Sequence, residues 1–99
     1  MIQLKETHYF AKWLTKLKDN KAKVAIFRRL NRLKQGNFGD YKALGDGLYE
    51  LRFTIGAGYR IYYMHKGDAI VILLAGGDKS SQNKDIKKAK ELMKEYKDG

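Results

Sequence analysis

The chain has 99 residues, the size of one small domain (commonly ~100–150 residues), and at 43% apolar and 12% aromatic it is too hydrophobic for an intrinsically disordered segment. It has no cysteine, which excludes a disulfide frame, a thiolate nucleophile and a cysteine metal site. Its net charge of +10 is concentrated in residues 1–35, where ten basic and two acidic side chains supply +8, a pattern that fits an anionic partner or a solubilising lysine surface.

In chain order, Met1 to Lys5 alternates weakly and reads as a short first strand. Thr7 is placed to cap a helix whose apolar stripe is Tyr9, Phe10, Trp13, Leu14 and Leu17, at spacings of three and four. Asp19 or Asn20 caps a second helix with the stripe Ala22, Ile26, Leu30 and Leu33, and Gly36 suits the left-handed position after its end. Lys21, Lys23, Arg28, Arg29 and Arg32 cover the rest of that helix. These five are the expected docking residues for nucleic acid or an acidic protein segment. Asn37 to Gly39 is a turn, and Tyr41 to Leu44 is a short strand ended by Gly45-Asp46-Gly47.

Leu48 to Met64 reads as a β-hairpin around Ile55-Gly56-Ala57-Gly58. Pairing Phe53 with Ile61 and Leu51 with Tyr63 keeps one face apolar and puts Glu50, Arg52, Arg60 and Tyr62 on the other. Arg52 and Arg60 are then solvated groups on a polar face, and losing one such surface ion pair costs only ~0–1 kcal/mol. Ala69 to Ala75 is a strand covered on both faces rather than a membrane span, broken by Gly76-Gly77. Ser80-Ser81 stands before a last helix from Gln82 or Asn83, where helix capping is its ordinary role. The order predicts one α+β domain over residues 1–99, a mostly antiparallel sheet backed on one face by an N-terminal helical hairpin and a C-terminal helix. Met1 to Lys5 is too short for the apolar core of a signal peptide, so a cytoplasmic protein without membrane attachment is expected.

His8 and His65 have no metal-ligand spacing, and no nucleotide-binding loop, HExxH or nucleophile-elbow motif occurs. What remains is arginine, lysine, tyrosine and carboxylate at one end of a sheet. Such groups suit phosphate chemistry that needs no metal or cofactor. Guanidiniums grip phosphate with a bidentate fork and stabilise the charge of a phosphorane. A surface salt bridge between Arg52 and Glu50, or between Arg52 and a carboxylate on a neighbouring strand, is the structural alternative.

The elements Glu50-Leu51-Arg52, Gly58-Tyr59-Arg60-Ile61-Tyr62-Tyr63 and Gly76-Gly77-Asp78-Lys79-Ser80-Ser81-Gln82 resemble the RelE/HigB superfamily of bacterial toxins. They look most like its branch of addiction-module killer proteins, and Tyr9 to Leu14 and Gly36 to Asp40 are similar to that branch too. The resemblance implies a RelE-like fold and the toxin of a type II toxin–antitoxin system. Such a toxin is a ribosome-dependent mRNA endoribonuclease held inactive by a cognate antitoxin, typically a helix-turn-helix DNA-binding protein. Its partners are then ribosome, mRNA and antitoxin. Arg60 matches the arginine of the family's Tyr-Arg motif, Arg52 the basic position of the preceding strand, and Lys79 the basic segment after the last strand. The chain departs from better-known relatives in having no histidine and no tyrosine soon after Lys79, which leaves Tyr62 and Glu50 as physical candidates for acid and base. A ParE-like gyrase-directed toxin and a non-catalytic basic RNA- or protein-binding module are the competing functions.

Overall fold

The structure is a computed structural model and describes residues 1–98. Strand β1 (Gln3–Glu6) leads into helices α1 (His8–Lys16) and α2 (Asn20–Lys34). Strands β2 (Tyr41–Gly45), β3 (Leu48–Arg52), β4 (Arg60–Lys66) and β5 (Ile70–Gly77) follow, then a 3₁₀ turn (Lys79–Ser81) and helix α3 (Gln82–Asp98). The sheet order is β1-β5-β4-β3-β2, antiparallel throughout except for the parallel β1–β5 pair. The fold class is α+β, as the order of elements predicts.

The caps explain where the helices begin. Thr7 accepts from the Phe10 N–H at 3.0 Å, and its own hydroxyl donates to the Leu74 carbonyl at 2.7 Å, tying the start of α1 to β5. Asp19 accepts from the Ala22 N–H at 3.0 Å and begins α2. Gly36, at φ +88°, follows the end of α2 in the left-handed conformation open to glycine.

Helices cover both faces of the sheet, not one. Phe10, Ile26, Leu30 and Leu33 of α1 and α2 pack on Leu51, Ile61, Tyr63, Val71 and Leu73. On the opposite face, Ala89 and Met93 of α3 pack on Leu48, Tyr62, Met64, Ile72 and Leu74. Leu48, Met64 and Leu74 make this second face apolar enough to need a cover, and the Ile86–Ala89–Met93–Tyr96 stripe of α3 provides it. The face expected to be open and polar is therefore buried along most of its length.

The β3–β4 register also differs from the expected one. Leu51 pairs with Ile61, Glu50 with Tyr62 and Arg52 with Arg60, a slip of two residues. Because side chains alternate with period two, an even slip leaves every residue on its expected face while changing its partner. The ladder ends where the Phe53 N–H donates to the Tyr59 carbonyl at 2.9 Å, and Gly56 (φ +55°) and Gly58 (φ +75°) turn the loop beyond it. The loop is held against the α1–α2 junction by the Tyr59 hydroxyl, which donates to Asp19 at 3.2 Å.

Gly76 and Gly77 do not break β5; they are its last two residues. A Cβ at Gly76 would overlap the Trp13 ring, and one at Gly77 would fall on the Asp85 carboxylate and the Ser81 hydroxyl. The glycines thus let α1 and the start of α3 approach the strand from either side. Asp78 then caps the 3₁₀ turn, with Ser81 completing a capping box and donating to Asp85, so the serine pair has the capping role its position implies. Among the described residues no helix is long and apolar enough to cross a membrane. Gly76→Ala is expected to cost about 1–3 kcal/mol, as overpacking a filled site does. Urea unfolding checks this, and an unchanged midpoint would show that the indole is not seated on the strand.

Candidate functional site

The even register slip places Arg52 and Arg60 side by side across β3 and β4, at the end of the sheet where β5 runs into the 3₁₀ turn. There Arg52, Arg60 and Lys79 line one open cavity of about 360 Å³ together with Asp40, Phe53, Thr54 and Gly58. Lys79 reaches it because its N–H donates to the Ala57 carbonyl at 3.3 Å and its side chain runs along Gly58. A second cavity, of about 290 Å³, shares Asp40, Arg52, Phe53 and Thr54 with the first and extends to Arg28 and Arg32 on α2. The two form a continuous basic groove from the end of β5 to the exposed side of α2.

The two arginines are held differently. Arg52 is 42% exposed in its side chain, and its Nη2 donates to Asp40 Oδ1 at 3.1 Å. Arg60 is 16% exposed, and its Nε lies 3.7 Å from Oε1 of Glu50, whose side chain is 2% exposed. The other Glu50 oxygen accepts from the Gln82 amide at 3.2 Å, which couples the pair to the first residue of α3. Arg60 Nη1 donates weakly to the Gly58 carbonyl at 3.4 Å.

Glu50 and Tyr62, the acid and base candidates from sequence, lie beneath α3 and do not line the cavity. Tyr62 is fully buried with its hydroxyl unpartnered. Burial first, then the nearby Glu50 and Asp85 carboxylates, push its phenol well above the ordinary range. A neutral phenol sealed under a helix exchanges no proton with a substrate in the groove. Alternation predicts their shared face correctly; what it lacks is the helix that covers it.

Of the five docking candidates, Arg28, Arg29 and Arg32 line the groove, and Lys21, on the same face of α2 as Arg28 and Arg32 by its spacing of seven and eleven residues, continues it. Lys23 donates to the Thr15 carbonyl at 3.3 Å. Arg29 departs from the expectation. Its guanidinium donates to the carbonyls of Arg52 (2.9 Å), Asp40 (2.9 Å) and Phe38 (3.2 Å) and stacks 4.6 Å from the Phe53 ring centroid. Burial holds its pKa below the usual arginine value, with Asp40 acting in the opposite sense. Arg29 is a strut between α2 and the groove's floor, with three of its N–H donors on backbone carbonyls.

Asp40 is the groove residue that sequence reasoning missed. Its signal was the Gly45-Asp46-Gly47 turn. Folding β2 back on β3 there pairs Tyr41 with Leu51, which brings Asp40 level with Arg52.

The buried pair makes Arg60 a stability residue as well as a groove residue. Arg60→Ala leaves Glu50 buried without its cation, for which about 3–5 kcal/mol is the expected loss, not the ~0–1 kcal/mol of a surface pair. Adding Glu50→Gln to that variant should recover most of the loss in urea unfolding. A single variant as stable as the parent would contradict the buried pair.

Comparison with known proteins places this geometry in a family. Residues 12–95 match the family model described as phage derived protein Gp49-like. An uncharacterized protein of Haemophilus influenzae is 53% identical over 94 residues, covering 95% of each chain. A chain in the crystal structure of the intact E. coli RelBE toxin–antitoxin complex superposes with a TM-score of 0.66 at 17% identity, over 79% of this chain and 96% of that one. The likeness establishes a RelE-like fold.

Proposed function

The chain belongs to the Gp49-like family, and from that membership and the groove we propose that it is the toxin of a type II toxin–antitoxin pair, an endoribonuclease that cuts mRNA on the ribosome. The observation that carries this reading is the convergence of Arg52, Arg60 and Lys79 on one open cavity. The RelE-like fold, seen in a chain of a toxin–antitoxin complex, supports it and supports an antitoxin as partner.

The chemistry follows from the groups present. In cleavage by the RNA's own 2′-hydroxyl, negative charge builds on the non-bridging oxygens of phosphorus. Arg52 and Arg60 offer fixed positive charge to those oxygens, the kind of preorganised stabilisation that usually contributes most to catalysis. Arg60 is the less exposed of the two, and its Nε lies 3.7 Å from Glu50, whose other oxygen accepts from Gln82. The exposed ammonium of Lys79 is the groove's proton donor for the departing 5′-oxygen. Arg28 and Arg32, further along the groove, hold neighbouring phosphates or ribosomal RNA, and Lys21 extends that basic side of α2. Binding there weakens with salt, because each neutralised phosphate releases counterions.

The ribosome supplies what the groove does not. Both histidines lie outside the cavity, and its aromatic residue, Phe53, is buried with the Arg29 guanidinium stacked on its ring, so it offers no open face for a base. In-line placement of the 2′-hydroxyl is worth about 7–11 kcal/mol at best, and an mRNA held in the ribosome is already ordered. The burial of Tyr62 and Glu50 is the one observation that favours a non-catalytic RNA-binding module, and the assay below separates the two.

Purified ribosomes programmed with mRNA should show new mRNA ends when the protein is added, while the same RNA free in solution should stay intact. Arg52→Ala should slow that cleavage by about 10²-fold or more and change stability by no more than ~1 kcal/mol, since its ion pair is exposed. Ribosome binding without any cutting by the parent protein would give the function to the binding module instead. Charge reversal at Arg28 and Arg32 should raise the Kd for ribosomes and flatten its salt dependence. Unchanged binding in that variant would leave these arginines as solubilising surface.

A further inference from the structure

Resting on the nuclease reading, the geometry points to Asp40 as the general base that takes the proton of the attacking 2′-hydroxyl. Among the described residues Asp40 is the one carboxylate that lines the cavity with Arg52, Arg60 and Lys79, and it lines the adjoining cavity as well. Other carboxylates near this end of the sheet are engaged elsewhere. Glu50 is buried beneath α3, Asp85 is buried in the first turn of α3 and accepts from Ser81, Asp19 caps α2 and holds Tyr59, and Asp78 caps the 3₁₀ turn.

Asp40 is held from its backbone rather than by its side chain alone. Its carbonyl accepts from Arg29 Nη2 at 2.9 Å and from the Arg52 N–H at 3.0 Å. Gly39 before it, at φ +65°, leaves room for the Arg29 side chain, whose Nε would lie 3.0 Å from a Cβ there. The strut from α2 therefore fixes where Asp40 stands. Its Oδ1 accepts from Arg52 Nη2 at 3.1 Å, and Oδ2 has no hydrogen-bond partner among the described residues. One oxygen is anchored by the guanidinium that meets the phosphate, and the other is left to accept a proton.

The step balances. Asp40 Oδ2 takes the 2′-hydroxyl proton as O2′ forms its bond to phosphorus. The P–O5′ bond breaks, and O5′ leaves with a proton from Lys79. The products are a 2′,3′-cyclic phosphate and a 5′-hydroxyl. Asp40 has gained one proton and Lys79 has lost one, and exchange with water restores both.

A surface salt bridge with Arg52 is the competing role, and Asp40→Asn separates the two. Asparagine keeps an oxygen for Arg52 but cannot accept the proton. On mRNA-programmed ribosomes at single turnover, Asp40→Asn should cut about 10²-fold more slowly or worse, the scale of a lost general base, with an unchanged Kd for ribosomes. Asp40→Glu should restore part of the rate. An mRNA with sulfur in place of the 5′-oxygen at the cut site has a leaving group that needs no proton. It should rescue Lys79→Ala and leave Asp40→Asn slow. Asp40→Asn cutting within a few-fold of the parent, or rescued by the sulfur substrate, overturns the assignment while the nuclease reading stands. A slow Asp40→Asn with a raised Kd makes Asp40 a binding residue and overturns it too. No cutting by the parent protein overturns both the assignment and the nuclease reading.

Discussion

Glu50 is a carboxylate taken almost wholly out of water, and the Arg60 guanidinium 3.7 Å away is what makes that burial tolerable. A buried ion pair of this kind gains little net stability over an apolar pair, because desolvation offsets the Coulomb attraction, but losing either partner is costly. The rest of the structure is arranged around it. The β3–β4 register puts Glu50 and Arg60 within reach on one face, α3 covers the carboxylate, and Gln82 takes its second oxygen. Gly77 admits Asp85 and Ser81, so α3 can close down at that point. The outcome is a guanidinium whose inner end is fixed in the protein and which lines an open cavity.

That cavity is assembled against local preference. Arg52 and Arg60 stand directly opposite each other, and like charges so paired destabilise a sheet. Each arginine has its own carboxylate, Asp40 for the exposed one and Glu50 for the buried one, and Lys79 adds a third cation without a partner among the described residues. A fold selected for stability alone would not gather cations so closely. Such local inconsistency is what a binding or catalytic site for an anion requires.

The helices, their caps and the parity of the β3–β4 hairpin are readable from the sequence, since Thr7, Asp19 and Gly36 act through neighbours a few residues away. Parity says which residues share a face but not what covers it. Alternation groups Glu50, Arg52, Arg60 and Tyr62 on one face, yet whether that face meets water depends on α3, which begins twenty residues downstream of Tyr62. Gly76-Gly77 looked like a strand breaker because its partners, Trp13 and Asp85, lie on elements that meet only in the folded chain. Arg29 looked like one more surface charge for a related reason. Arg28 and Arg32 beside it on α2 do face solvent or the open groove, and nothing local shows that its own fork ends on the carbonyls of Phe38, Asp40 and Arg52. Nothing local marks Asp40, for only the β2–β3 register brings it to Arg52.

In the proposed reaction the groove cuts RNA through the RNA's own 2′-oxygen, with arginine and lysine supplying the charge. The chemistry of the new ends tests this most directly. After cleavage on programmed ribosomes, the upstream fragment should carry a 2′,3′-cyclic phosphate and the downstream fragment a free 5′-hydroxyl. A 5′-phosphate downstream with a 3′-hydroxyl upstream would mean that water, not the 2′-oxygen, attacked, and would contradict the account.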